Sequence, residues 1–97
     1  MNDSKTQIIG VAWFRQNQWQ ELLKYCEDRE NLEATYEIWK EGAEKAIKDL
    51  RSRGVTIHAV DFDLGEFMKW CREQTKLLNA ESRAEFTSLK VRAFHRG

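Results

Sequence analysis

Ninety-seven residues, 41% of them hydrophobic and including four Trp, five Phe and two Tyr, supply material for one core; a chain of this size buries only about 60–70% of its unfolded surface and has no room for a second. Sixteen Lys and Arg balance sixteen Asp and Glu, so no overall field draws the protein to nucleic acid or anionic lipid. The longest apolar run, Ile8–Phe14, has seven residues, against about 20 for a membrane span and about 7–15 behind a basic start for a signal peptide. These bounds predict a single cytoplasmic domain, residues 1–97, with no membrane association.

Residues 1–7 are polar and are expected to be disordered or frayed. Ile8–Phe14 is apolar on both faces, the pattern of an interior strand. Trp19, Leu22, Leu23 and Cys26 follow at helical spacing and predict a first helix over 17–27 with Asn17 as its cap. After a polar break, Leu32, Tyr36, Trp39, Ala43, Ala46 or Ile47, and Leu50 step by three or four along a long helix. Lys48, Arg51 and Arg53 gather at its C-terminal end, where the dipole favours cations, and Gly54 ends it as a left-handed cap.

Residues 55–62 alternate partly and read as a second, more peripheral strand. Asp63, with Glu66 three residues on, forms an acidic version of the capping box for a third helix buried through Leu64, Phe67, Met68 and Cys71. Asn79 then caps a fourth helix in which Ser82, Phe86, Leu89 and Ala93 share a face, with fraying near Arg96-Gly97. The predicted fold class is α+β: strand-helix-helix repeated twice, with four helices packed on a small sheet. Each chain supplies two strands, and dimerisation completes the sheet.

A possible internal duplication relates residues 8–53 to 55–95. At an offset of 45, Glu21-Leu22-Leu23-Lys24-Tyr25-Cys26 matches Glu66-Phe67-Met68-Lys69-Trp70-Cys71. Five further residues in the second connection align Tyr36 and Trp39 with Phe86 and Leu89. Under either origin Cys26 and Cys71 read as buried, reduced packing residues rather than a disulfide.

Site chemistry is sparse. Asp61-x-Asp63 offers two carboxylates where a hard cation needs about six oxygens. His58 next to Asp61 reads as a structural residue before a base, and Cys26, His58, Cys71 and His95 lack zinc spacing. No metal, cofactor or catalytic residue is therefore assigned. The strand-to-helix turn is the exception: Trp13, Arg15, Gln18 and Trp19 crowd together there and could line a pocket, Arg15 gripping an anion and a Trp stacking on a flat ligand. The competing reading makes Trp19 and Phe14 core and lays Arg15 over the turn.

The run V-A-W-F-R-x-x-Q-W over 11–19, Glu37-Ile38-Trp39 on the long helix, and Phe67-Met68-Lys69-Trp70-Cys71 resemble a group of short bacterial proteins of uncharacterised function. The resemblance spans about residues 8–90 and implies a bacterial cytoplasmic origin and a stand-alone domain. It implies no activity, cofactor or catalytic residue.

Charge is unevenly spread. Residues 21–44 hold eight acids and three bases, and residues 69–97 seven bases and three acids. Such faces suit a protein–protein interaction module, self-associating as a homodimer or binding another protein, and without catalysis. The alternative is a small-molecule-binding or enzymatic domain with a pocket near Trp13–Trp19. Nucleic-acid binding through Lys69, Arg72, Lys76, Arg83, Lys90, Arg92 and Arg96 is disfavoured, because these bases are dispersed around helices without stacking aromatics.

Overall fold

The computed structural model describes residues 8–94, the side chain of Phe94 excepted; the expectations for residues 1–7, His95 and the Arg96-Gly97 tail lie outside them. The fold is α+β. Strand β1 (Ile8–Phe14) leads through a 3-10 turn (Gln16–Gln18) into α1 (Trp19–Tyr25). A second 3-10 turn (Arg29–Asn31) precedes the long α2 (Tyr36–Ser52), and β2 (Thr56–Phe62), α3 (Leu64–Gln74) and α4 (Ala80–Phe94) follow. The two strands pair in parallel, Ile8 opposite Thr56 through Phe14 opposite Phe62, and are the whole sheet among the described residues. No helix among them is long and apolar enough to cross a membrane.

Register sorts the side chains. Side chains alternate along a strand and paired residues share a face, so Ile9, Val11 and Trp13 lie with Ile57, Ala59 and Asp61. Gly10, Ala12 and Phe14 lie with His58, Val60 and Phe62 on the other face. α4 covers that second face: a Cβ on Gly10 would run into the Val91 side chain and touch Thr87, and Phe86 meets Phe62 edge-on with ring centres 5.7 Å apart. The main core spreads from this face around the C-terminal ends of the strands, through Phe14, Trp19, Leu22, Cys26, Phe62, Leu64, Phe67, Cys71 and Phe86. α2 lies on the first face, where only Ile47 and Ile57 are fully buried.

Four expectations need correction. First, within one chain β1 is the less buried strand: only Phe14 of β1 is buried, and Ile8 is 40% exposed. β2, expected at the periphery, buries both Ile57 and Phe62. Second, α1 is shorter than 17–27 and Asn17 does not cap it. No side chain does, because the Gln18 amide oxygen instead accepts the Leu64 N–H at 2.9 Å. The far end stops at Tyr25, where Cys26 turns extended and the next amide, Glu27 N–H, donates to the Leu78 carbonyl at 2.9 Å.

Third, α2 begins at Tyr36 rather than Leu32: the Thr35 hydroxyl accepts the Ile38 N–H, and Leu32 stays extended to pack against the core. Its C-terminal end is as expected, with Gly54 at φ 88° and the Val55 N–H returning to the Leu50 carbonyl.

Fourth, α4 is rotated from the predicted face. It buries Ser82, Arg83, Phe86 and Thr87, whereas Leu89 is 37% exposed and Ala93 is exposed. Two forces turn it: Asp28 draws Arg83 inward, and Gly10 lets Val91 approach the sheet. Asp63 caps α3, accepting from the Gly65 and Glu66 N–H groups, and Asn79 caps α4, accepting from Ser82, but the capping box is not closed, because the Glu66 carboxylate accepts from Lys90 at 2.9 Å instead.

Candidate functional site

Because α2 lies over β2 more than over β1, the first sheet face is incompletely covered. A cleft of about 440 Å³ opens between them, lined by Trp13 and Ala59 from the strands and by Glu44, Ile47, Lys48 and Arg51 from α2. The volume falls within the range of about 300–1,000 Å³ typical of small-molecule pockets. Helical spacing explains the wall: 44, 47, 48 and 51 are three or four apart and therefore share a face. Parallel register explains the floor, since Val11 pairs with Ala59 and puts Trp13, two residues on, beside it.

Trp13 is held by its neighbours. Its ring centre lies 4.9 Å from that of Trp39, which in turn meets Phe14 at 5.0 Å, Tyr36 at 5.3 Å and Trp19 at 5.7 Å. On the wall, the Arg51 guanidinium donates to the Ile57 carbonyl at 3.2 Å. Lys48 and Arg51 have no carboxylate partner among the described residues, and the nearest cation to Glu44 is Lys40 at 3.9 Å. The cleft is thus apolar below and net cationic at its wall.

Of the four residues singled out at the strand-to-helix turn, Trp13 alone lines this cleft. Arg15 grips Asp61 with two bonds, Nε to Oδ1 at 3.0 Å and Nη2 to Oδ2 at 2.6 Å, and lies 3.6 Å from Asp63. That paired hydrogen bond holds the Asp61 carboxyl below its usual range, opposed by desolvation, and raises Arg15 further. Gln18 joins the first turn to α3 through Leu64. Trp19 is 1% exposed and its indole N–H has no hydrogen-bond partner among the described residues. The space between Arg15, Gln18, Phe14, Leu22, Phe62 and Leu64 leaves no room for a water molecule.

The remaining candidates separate. Asp61 is occupied by Arg15, and Asp63 by the α3 N-terminus. His58 lies on the sheet face opposite Asp61, since it pairs with Gly10. Cys26 and Cys71 are 1% and 2% exposed in the core, both thiols raised chiefly by burial. Among the basic residues, Lys76 pairs with Glu85 and Lys90 with Glu66, each at 2.9 Å.

Arg83 is buried against Asp28, donating Nη1 to Oδ1 at 3.0 Å and Nη2 to Oδ2 at 2.9 Å, and Asp28 also accepts the Ala80 N–H at 3.1 Å. Here the acidic and basic halves of the chain meet inside the fold. The sequence reading missed Glu44, Ile47, Lys48, Arg51 and Ala59. The available signal was the α2 repeat through Ile47, which carries Glu44, Lys48 and Arg51 on the same face.

Comparison with protein-family models, with curated proteins and with solved structures finds no match to the chain.

Proposed function

We propose that the protein is a non-catalytic protein–protein interaction module of the bacterial cytoplasm that self-associates as a homodimer, β1 pairing with its symmetry mate. The observation that carries this reading is the state of β1. It is apolar on both faces, yet it stands at the edge of a two-stranded sheet with Ile9, Val11 and Trp13 only half-buried. Helices lie on both sheet faces but do not pair the outer edge of β1, and an apolar edge is a template for pairing. Joining two copies at β1 gives a four-stranded sheet through an isologous contact, the commonest kind of oligomer interface.

In such a dimer both α2 helices lie on one sheet face, outside the joined β1 strands. The two clefts then open toward each other across the axis. The acidic first half of α2, with Glu37, Glu41 and Glu44, and its basic second half, with Lys45, Lys48 and Arg51, supply charges of both signs near the contact for orientation. An origin by duplication of 8–53 and 55–95 is part of the same proposal. Its support is the burial of Trp19, Leu22 and Cys26 together with Leu64, Phe67 and Cys71 at an offset of 45.

Size-exclusion chromatography with light scattering tests the reading on Val11→Lys and Ala12→Pro, which place a charge or a proline in the joined strand. Both variants are expected to elute as folded monomers while the parent elutes as a dimer. A dimer that survives both substitutions with native circular dichroism would contradict strand pairing.

A further inference from the structure

We infer that the cleft between α2 and the sheet is a binding site for a small amphiphilic anion, an apolar body carrying one carboxylate. The floor sets the body: Trp13, Ile47 and Ala59 present an aromatic face and aliphatic carbon with almost no polar surface. The wall sets the head group. Lys48 and Arg51 stand one above the other at i and i+3 without a carboxylate partner among the described residues, and the bond from Arg51 to the Ile57 carbonyl fixes its guanidinium beside the apolar floor. Glu44, the one acid in the lining, sits a turn away near Lys40.

Lys48 and Arg51 are exposed at the cleft mouth, where a cationic ligand would add a third positive charge and a neutral one would gain nothing from them. A carboxylate satisfies both while its body displaces water from Trp13. All six lining residues belong to one chain, so the site needs no residue from a second copy.

Isothermal titration calorimetry on the full chain tests this with two probes that share a body and differ in charge, 3-phenylpropanoate and 3-phenylpropylammonium. The anion is expected to bind once per chain with a sub-millimolar Kd, and the cation at least tenfold more weakly. Lys48→Glu and the pair Lys48→Gln with Arg51→Gln should each weaken the anion at least tenfold, with circular dichroism unchanged. Ala59→Trp, at an exposed strand position, fills the floor and should abolish binding of both probes.

Equal affinity for the two probes, the absence of saturable heat up to 5 mM anion, or unchanged binding in Ala59→Trp would overturn the inference. Sedimentation of the same samples separates the two proposals: binding by a monomer removes the association reading alone, and a dimer without binding removes this one alone.

Discussion

Replacing Asp28 by Asn isolates the one buried ion pair among the described residues. Asp28 and Arg83 are 9% and 7% exposed, and the carboxylate accepts three hydrogen bonds, two from the guanidinium and one from the first amide of α4. The substituted carboxamide has the same shape and can still accept from Ala80, but its NH2 group replaces an oxygen that accepted from Arg83, so the change removes the charge and one hydrogen bond and leaves the Arg83 cation buried. Breaking such a pair from one side costs about 3–5 kcal/mol, a large part of the roughly 5–15 kcal/mol that holds a domain of this size. With a urea slope of about 1–3 kcal/mol/M, the midpoint should fall by at least about 1 M.

Arg83, through its paired hydrogen bond, lowers the Asp28 carboxyl from its usual value, with desolvation opposing. A carboxyl lowered on folding stabilises the protein above its unfolded pKa of about 3.9, and that contribution disappears as pH falls through the lower folded value. The parent and Asp28→Asn should therefore differ at pH 7 and converge in acid. Asp28→Leu combined with Arg83→Met should be more stable than Asp28→Asn alone, because no charge is stranded. A loss under about 1 kcal/mol at pH 7, or a difference that persists unchanged to pH 2, would refute the reasoning.

Gly10→Ala should destabilise by about 1–3 kcal/mol by overpacking against Val91, and Val91→Ala in the same chain should recover part of it in thermal melts. Asp63→Ala removes the acceptor of two α3 amides and should cost about 1 kcal/mol, read as a lower urea midpoint. Cys26 and Cys71 should react with a thiol reagent only as fast as the protein opens, and full labelling within the mixing time in native buffer would contradict their burial.

Local chemistry was legible in the sequence where a short motif fixed it. Asp63, Asn79 and Gly54 marked helix ends that the fold uses, and the helical spacing of Leu22 and Cys26, and of Phe67 and Cys71, marked core. What stayed illegible depends on distant partners. Gln18 is committed to Leu64, 46 residues away, which leaves α1 without a side-chain cap. Arg83 reads as surface charge until Asp28 is beside it, and its burial then turns α4 away from the face that Leu89 and Ala93 predicted.

The cleft was half legible. Trp13 stood out as a large aromatic beside polar neighbours, but its partners Ala59 and Ile47 are adjacent only through the parallel register and the placement of α2. Lys48 and Arg51 matched the helix dipole so well as C-terminal cations that nothing in their pattern marked a second role.

The proposed homodimer is tested most directly by sedimentation equilibrium of the full chain at 10 and 100 µM. Pairing through β1 predicts a mass of about twice the 11.5 kDa of one chain, reverting to a single chain in Val11→Lys. A single species of one-chain mass at 100 µM would contradict it.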